Sequence, residues 1–410
     1  MPSQNLEAIL ASELKAMADA GSLKGAESVI TGVIPPGDGK GPRYRLAGEG
    51  DKGYLRMNSN GYLGMARHAD VAAAEEAATR AFGAGPGAVR FISGTSAPHV
   101  ELEGRLARFH NREAAMIFSS AYATVMGILP ALITPETAVI SDELNHNCII
   151  NASRLARPGQ KHVYKHLDMD ELEGALAASA KTMRRAIIVT DGIFSMRGDH
   201  APLAYIMGLA QSFDQHFPEN VLVVVDDSHG VGACGPTGRG TEEITASAHA
   251  DILIATLGKA FGVNGGYVAA SAALIAYLRE KSPFYIYSNP ITPGEAAAAA
   301  KALEILDGPD GQARLEHLRE MTERFEHGLV ALGLETIEGA HPIKPLMVRD
   351  ANETAALVAH LKDHGILATA LSYPVVPKGE DEIRFQISAD HTEADVDEVL
   401  DVLAAYRKAG

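Results

Sequence analysis

The chain has 410 residues, of which 46% are hydrophobic, and its formal net charge is −16 at pH 7. This length and apolar content suit a globular protein with two domains, each large enough to bury a core. The negative charge argues against a nucleic-acid or anionic-membrane partner, because either would need a clustered basic face.

The N-terminal stretch 1–21 alternates charged and apolar residues at helical spacing, which predicts a helix rather than a secretion signal. The most apolar long stretch, 114–133, is interrupted by serines, a tyrosine and a proline, which disfavours a membrane span. Neither Cys148 nor Cys234 belongs to a CxxC pair, so neither a disulfide framework nor a cysteine-based zinc site is expected. We therefore expect a protein of the reducing cytoplasm.

Short apolar segments then alternate with helical ones through the middle of the chain. The predicted strands are 114–120, 138–143, 162–166, 186–192, 221–227, 251–258 and 265–271. Near-continuous apolar strands that alternate with helices predict a mostly parallel sheet covered on both faces. The early segment 34–42, IPPGDGKGP, is predicted to be a flexible loop.

After about residue 290 the pattern changes to long helices and short strands, which predicts a smaller α+β domain. The helices are predicted at 294–307, 312–332, 353–364 and 392–408, and the strands at 342–348, 366–371 and 382–388. We therefore divide the chain into an N-terminal helix and arm (1–55), a large domain (56–290) and a small C-terminal domain (291–410).

Polar side chains follow several predicted strands at their carboxyl ends, where ligands gather in open α/β sheets. They are His146 after strand 138–143, Ser195 after 186–192, Asp226 and His229 at the end of 221–227, and Thr256 and Lys259 at the end of 251–258. Each has an ordinary structural interpretation by itself, since a strand-end aspartate often caps a turn and a lone histidine is often a hydrogen-bonded core residue. Their placement on one sheet edge is what predicts an active site.

Several kinds of active site do not match. No histidine pair has HExxH spacing, no GxSxG elbow is present, and the glycines of 82–94 spell GxGxG rather than the dinucleotide-binding GxGxxG. No metal site is predicted. A lysine that forms a Schiff base, with an aspartate for a pyridinium nitrogen, does fit and implies pyridoxal 5′-phosphate (PLP).

A series of motifs runs in order from about residue 58 to the C-terminus. The motifs are NGYLG, VRFISGT, FSSAYA, SDELNHNCII, TDGIFSMRGD, VDDSHGVGACGPTGRG, TLGKAFG, YSNPITP and YPVVPKGEDEIRFQISADHT. Together they resemble the α-oxoamine synthases, a family that includes glycine C-acetyltransferase (2-amino-3-ketobutyrate CoA ligase), aminooxononanoate synthase, aminolevulinate synthase and serine palmitoyltransferase. The resemblance implies an α/β fold of the fold-type I PLP-dependent transferases, with PLP in the large domain and a smaller α+β C-terminal domain.

The resemblance also implies a role for the residues at the sheet edge. Lys259 would bind the PLP aldehyde, Asp226 would pair with the pyridine nitrogen, and His229 would hydrogen-bond the phenolic oxygen of the ring. Ser195 would lie near that oxygen, and His146 would stack on the ring. The catalytic candidates are therefore Lys259, Asp226, His229 and His146.

Other residues would bind the phosphate and the substrates. Arg384 would pair with the amino-acid carboxylate through its planar guanidinium, and Asn60 would lie at the substrate and acyl-CoA entrance. In a homodimer with shared active sites, the YSNPITP segment would reach the phosphate of the partner subunit. The phosphate ligands implied are the helix N-terminus at Ser120, Ala121 and Tyr122, the Thr256 hydroxyl, and Ser288 with Asn289 across the interface.

The implied reaction condenses an amino acid with an acyl-CoA and releases coenzyme A. Lys259 would remove the Cα proton, and either His229 or His146 would polarise the thioester carbonyl. The motif YPVVPKG most resembles the glycine C-acetyltransferase branch, so glycine and a short acyl group such as acetyl are expected. Departures from the family pattern at Gly61 and Pro290 leave the acyl group open, and Val89 argues against succinyl-CoA.

Other functions remain open at this point. The chain could be another α-oxoamine synthase, similar to serine palmitoyltransferase or aminooxononanoate synthase, or a PLP aminotransferase that needs no acyl-CoA. It could also be a binding protein that retains a cofactor site, or a nucleotide-dependent α/β enzyme if no PLP is bound.

Overall fold

The computed structural model describes residues 3–19, 23 and 26–409. The predicted N-terminal helix is present as α1 (Gln4–Asp19), and the rest of the stretch 1–21, apart from residue 3, lies outside the described residues. No residue of α1 is buried. The helix therefore contributes nothing to the core of its own chain.

The strands form four sheets in the described part of the chain. They are β1 (Ile30–Ile34), β2 (Arg43–Leu46), β3 (Leu55–Arg56), β4 (Ala114–Phe118), β5 (Thr137–Asp142), β6 (Gln160–Tyr164), β7 (Arg185–Asp191), β8 (Val221–Asp226), β9 (Ile252–Thr256), β10 (Gly266–Ala270), β11 (Ile343–Met347), β12 (Ile366–Leu367), β13 (Thr369–Leu371) and β14 (Glu382–Gln386).

Helices follow or separate most of these strands. After α1 they are α2 (Ala69–Phe82), α3 (Ala97–Phe109), α4 (Ala121–Leu132), α5 (Asn147–Ala156), α6 (Met169–Ser179), α7 (Leu203–Phe213), α8 (Thr241–Ile244), α9 (Ala272–Lys281), α10 (Pro283–Ile286), α11 (Pro293–Asp307), α12 (Pro309–Ala331), α13 (Ala351–Asp363) and α14 (Glu393–Ala409). Within residues 3–19, 23 and 26–409, no helix has both the length and the apolar character needed to cross a bilayer.

The central sheet has the strand order β4-β10-β9-β8-β7-β5-β6. All of its strands run in one direction except β10, which is antiparallel to both β4 and β9. Each of these strands was predicted from the sequence, with ends displaced by two residues or fewer. The prediction of a mostly parallel sheet is confirmed.

The central sheet is buried on both faces, which explains its near-continuous apolar strands. Along β9, Leu253 and Ala255 point into one core together with α3, α11 and the small domain. The alternate residues Ile252 and Ile254 point into a second core with α4, α5 and α9.

The C-terminal part contains the antiparallel sheet β11-β14-β13, against which α12 and α13 pack, and α14 packs against these two helices. The single strand predicted at 366–371 is divided in the structure. Its first half, β12, pairs in parallel with β3, and its second half, β13, pairs with β14. The early segment 55–56 is therefore hydrogen-bonded to the C-terminal part, although the predicted domain boundaries themselves stay a prediction.

The segment 34–42, predicted to be a flexible loop, connects β1 and β2 of a hairpin and is held in place at its end. The Gly41 N–H donates to Asp395 Oδ2 (2.9 Å), and Arg43 forms an ion pair with Asp395 Oδ1 (2.7 Å). A Cβ atom at Gly41 would lie 2.3 Å from the Asp390 carbonyl oxygen, so only glycine allows this close approach to the start of α14.

Candidate active site

A small cavity lies at the carboxyl ends of β7 and β8, and most of the predicted site residues line it. The residues in its wall are Ala121, Tyr122, His146, Cys148, Asp191, Ile193, Ser195, Asp226, Ser228, His229 and Lys259. Parallel strands place their carboxyl ends on one sheet edge, so residues distant in the sequence meet there. The predicted residues outside this wall are Asn60, Ser120, Thr256, Ser288 and Arg384.

Lys259 lies in the turn between β9 and β10 and reaches the cavity with its amine in a buried position. Burial lowers the pKa of the amine from 10.5 to about 8, against the opposing effect of the Asp226 and Asp191 carboxylates. The turn closes through a hydrogen bond from Gly262 N to the Lys259 carbonyl oxygen (3.0 Å). Gly262 has a φ of 68°, and a Cβ atom there would lie 2.2 Å from Ala66 N, so a side chain at this position would displace the turn.

Asp226 ends β8 with a buried carboxyl group. Its Oδ1 accepts a hydrogen bond from Ser228 N (3.2 Å), and its Oδ2 accepts from the Cys148 thiol (3.7 Å). The thiol is itself buried, and burial together with the neighbouring carboxylates raises its pKa. Cys148 is therefore an unreactive thiol whose sulfur lies 3.7 Å from Asp226 Oδ2 and 2.9 Å from His146 Nδ1.

His146 is the N-cap residue of α5, and hydrogen bonds hold both its ring and its backbone. Its Nδ1 accepts a hydrogen bond from Cys148 N (3.2 Å), while its backbone N–H donates to Asp191 Oδ2 (3.0 Å). Burial lowers the pKa of the imidazole, so the ring is neutral and carries its proton on Nε2. Burial, reinforced by Asp226, raises the pKa of Asp191 well above its ordinary value.

His229 is held by Tyr62, which comes from the motif NGYLG near the N-terminus. The Tyr62 hydroxyl and His229 Nδ1 are 2.7 Å apart, and His341 Nε2 lies 2.9 Å from the His229 carbonyl oxygen. Burial lowers the pKa of His229 and raises that of Tyr62, so both side chains are neutral. With Nδ1 bonded to Tyr62, Nε2 is the ring nitrogen that remains for a ligand.

The N-terminus of α4 lies beside this cavity. Ser120 caps the helix by accepting a hydrogen bond from Ala123 N (3.1 Å) on its Oγ. Gly266 of β10 packs against the same turn, where a Cβ atom would lie 2.3 Å from Ala121 N. The Thr256 hydroxyl donates to the Gly265 carbonyl oxygen (3.1 Å) and accepts from the N–H of the residue two positions later (3.0 Å), and its expected role as a phosphate ligand stays a prediction.

Arg384 lies on β14 and faces the cavity from the C-terminal part. Its Nη1 donates to the Ser195 carbonyl oxygen (2.7 Å), and its Nε donates to the Gln386 amide oxygen (2.9 Å) in the amide orientation that satisfies its neighbours. Burial lowers the pKa of Arg384. Asn60 is 3.2 Å from the Gln386 amide, so Asn60 and Arg384 belong to one polar cluster.

Ser288 does not reach the cavity of its own chain. It lies between α10 and α11 beside Tyr287, whose side chain is 80% exposed. The expected role of Ser288 in the partner subunit's site stays a prediction.

Residue-by-residue reasoning from the sequence missed four members of the site: Asp191, Cys148, Tyr62 and Gln386. Asp191 ends a predicted strand, so the rule about polar residues at carboxyl ends already pointed to it. Tyr62 lies in the motif NGYLG, and Gln386 lies in the motif that contains YPVVPKG. The contact between Tyr62 and His229 joins distant parts of the chain, and the contact between Gln386 and Arg384 depends on how their strand is oriented. Only the fold determines these two contacts.

Comparison with known proteins gives consistent results. The family Aminotransferase class I and II matches residues 52–403. The human mitochondrial 2-amino-3-ketobutyrate coenzyme A ligase is 41% identical over 399 residues, which cover 97% of this chain and 91% of the relative. The 8-amino-7-oxononanoate synthase of Thermosipho melanesiensis is 41% identical over 351 residues, covering 85% of this chain and 87% of that protein.

Solved structures are similar over nearly the whole chain. A serine palmitoyltransferase from S. paucimobilis, with a bound PLP–myriocin adduct, superimposes with a TM-score of 0.86 at 25% identity. The similarity covers 98% of this chain and 97% of that one.

Proposed function

The chain belongs to the class I and II aminotransferase family and, within it, to the α-oxoamine synthases, and from this premise we propose that it condenses glycine with a short-chain acyl-CoA. Its fold is that of the fold-type I PLP transferases, and its cofactor is PLP. The observation that carries the proposal is the single cavity in which Lys259, Asp226, His146 and His229 meet.

The residues of this cavity fit PLP. Lys259 has a pKa of about 8, so its neutral amine is available to bind an aldehyde. Asp226 is a buried carboxyl group suited to a protonated pyridine nitrogen, and the N-terminus of α4 offers backbone N–H groups to a phosphate. When bound, PLP supplies an electron sink that stabilises negative charge on the amino-acid Cα.

The side chains of the protein would then control where protons and substrates lie. Lys259 Nζ would take the Cα proton, and Arg384 would orient the amino acid by its carboxylate. His146 and His229 both have lowered pKa values and both can present Nε2 to the cavity. The Nε2–H of His146, or the Nε2–H of His229 in the tautomer whose Nδ1 accepts from the Tyr62 hydroxyl, would donate a hydrogen bond to the thioester carbonyl oxygen, and the proposal leaves the choice between them open.

Glycine and acetyl-CoA are the proposed substrates because of the human relative. Its name, 2-amino-3-ketobutyrate coenzyme A ligase, corresponds to the product that these two compounds form. The 8-amino-7-oxononanoate synthase and the serine palmitoyltransferase correspond to the alternative function, in which the chain uses another amino acid and a longer acyl group.

The test is thiol release by the purified holoenzyme. Glycine, alanine and serine are each combined with acetyl-, succinyl- and palmitoyl-CoA, and the condensation product is identified by mass spectrometry. We expect the highest kcat/KM with glycine and acetyl-CoA, and none with the Lys259→Ala variant. Amino transfer to a keto acid without any thiol release would contradict the proposal.

We further propose that the active enzyme is a homodimer with shared sites. Large apolar side chains within two of the family motifs are exposed in the single chain, namely Phe91 (67%), Ile92 (68%) and Tyr287 (80%). Helix α1 adds further exposed apolar residues. Sedimentation would measure the mass, and mixing Lys259→Ala with Ser288→Ala subunits should restore part of the activity through hybrid sites. A monomer with full activity would refute the shared site.

A further inference from the structure

Glu382, the first residue of β14, has a buried carboxyl group with an oxygen that lacks a hydrogen-bond partner. Its side chain is 2% exposed in the folded chain. Its Oε1 has no hydrogen-bond partner among residues 3–19, 23 and 26–409. Burial raises the pKa of the group to about 8, against the opposing effect of Arg384 and Arg197. Buried oxygens of this kind are rare and destabilising, so a functional reason is expected.

Glu382 lines a second cavity that continues from the cofactor site. This cavity has a volume of about 570 Å³. It shares His146 and Ser195 with the first cavity, and its outer wall is formed by the segment 373–377 of the motif YPVVPKG. A molecule in the second cavity would therefore lie next to the group that occupies the first.

The other charged groups in the wall of the second cavity have partners. Glu143 Oε2 pairs with Lys165 (2.8 Å), and Arg197 pairs with Asp199 (2.8 Å) and faces Glu380 (3.7 Å). Within the described residues, Glu382 is the acidic member of this wall for which no ion pair is found. Its carboxyl group is thus the acceptor that remains for a ligand.

The position of Glu382 relative to Arg384 indicates which reactant reaches it. The two residues are two positions apart on β14, so their side chains lie on one face of the strand, with Cα atoms about 7 Å apart. Arg384 itself is not part of the wall of the second cavity, so glycine held at Arg384 by its carboxylate would lie beside this cavity rather than in it. The thioester is the reactant large enough to occupy the second cavity.

We propose that Glu382 accepts a hydrogen bond from an N–H or O–H group of the acyl-CoA thioester bound in the second cavity. This inference rests on the proposed function. The donor is an amide of the pantetheine arm or a polar substituent of the acyl chain, and these two sources share the same chemistry. The unpaired carboxyl group of the free protein is satisfied when the thioester binds.

The test compares Glu382→Leu, which removes the acceptor, with Glu382→Gln, which keeps it. Glu316→Gln, on the exposed surface of α12, is the control. The thioesters are acetyl-CoA, S-acetyl-N-acetylcysteamine with one amide, and ethyl thioacetate, which has no N–H or O–H group. Butyryl-CoA and 3-hydroxybutyryl-CoA differ only by a hydroxyl group on the acyl chain.

If the pantetheine arm is the donor, Glu382→Leu lowers kcat/KM for acetyl-CoA by about tenfold or more. If the acyl chain is the donor, the loss is confined to 3-hydroxybutyryl-CoA relative to butyryl-CoA. In both cases ethyl thioacetate and the affinity for glycine, measured by the absorbance of the holoenzyme, stay unchanged. Glu382→Gln retains most of the activity, and the Tm of Glu382→Leu is equal to or above that of the wild type.

An equal loss with every thioester, including ethyl thioacetate, would overturn the inference, as would a change in glycine affinity alone or no change at all. A binding measurement with coenzyme A, which cannot react, distinguishes failure of this inference from failure of the proposed function. If the wild type releases no thiol but coenzyme A raises its Tm more than that of Glu382→Leu, only the proposed reaction fails. If coenzyme A shifts both proteins equally, pantetheine recognition by Glu382 fails as well.

Discussion

The pKa of Lys259 leads to a quantitative prediction about cofactor capture. An amine attacks an aldehyde in its neutral form, and burial lowers the pKa of Lys259 from 10.5 to about 8. At pH 7 a group with pKa 8 is roughly one tenth neutral, whereas an amine at 10.5 is neutral to only about 0.03%. The buried lysine therefore has a roughly 300-fold larger reactive fraction than an exposed one.

The assay follows covalent capture of PLP by the apoprotein as a function of pH, using the change in PLP absorbance. The rate should rise with pH through a midpoint near 8, because deprotonation creates the reactive amine. Asp226→Asn should move the midpoint to lower pH, since the Asp226 carboxylate raises the pKa of Lys259. Lys259→Ala should abolish capture, and Lys161→Ala, which removes an exposed lysine, should leave the profile unchanged.

A midpoint near 10 would refute this reasoning, because it would mean that the Lys259 amine is solvated in the apoprotein. An upward shift in Asp226→Asn would refute it as well, because it would contradict the sign of the interaction between the two charges.

Three further predictions concern a glycine beside α4, a buried ion pair and the arginine proposed to bind the substrate carboxylate. Gly266→Ala should raise the Kd for PLP at least tenfold, because the added Cβ would lie 2.3 Å from Ala121 N at the start of α4. Equilibrium titration measures the Kd, and an unchanged value would contradict this prediction. Arg90→Ala should lower the free energy of unfolding by about 2 kcal/mol, because it removes the buried ion pair with Glu103 (3.0 Å) while Arg279 still pairs with Glu103 (2.8 Å). Denaturant unfolding measures this, and a loss below about 0.5 kcal/mol would count against it. Arg384→Lys should raise the KM for glycine about tenfold while the KM for acetyl-CoA stays constant, because an ammonium group cannot make a bidentate pair with the glycine carboxylate. Equal changes in the two KM values would argue against carboxylate binding by Arg384.

Much of the large domain was predictable because its signals are local. The strand β8 is a run of β-branched residues that ends in Asp226, and β9 ends shortly before Lys259. Since parallel strands collect their carboxyl ends at one edge, the sequence alone brought Asp226, His229 and Lys259 to one site. The lysine and the aspartate at that edge pointed to PLP, and the family motifs then pointed to the α-oxoamine synthases.

Other features required the tertiary structure. The strand order of the central sheet and the reversed direction of β10 depend on which strands pair, and each strand has the same apolar pattern on both faces. The division of 366–371 into β12 and β13 likewise depends on two different partners. A local pattern cannot distinguish among partners that are distant in the sequence.

The sequence by itself determined the class of the protein, a candidate cofactor lysine and the strand ends that form the cavity, because hydrophobic periodicity and motif spacing are properties of neighbouring residues. Only the tertiary structure decided that Tyr62 bonds to His229 across 167 positions and that Cys148 bonds to Asp226. It also decided that Glu382, a charged residue in a polar stretch of sequence, is buried at a cavity wall. The physical reason is that burial and hydrogen bonding depend on how distant segments pack together, which no single segment encodes.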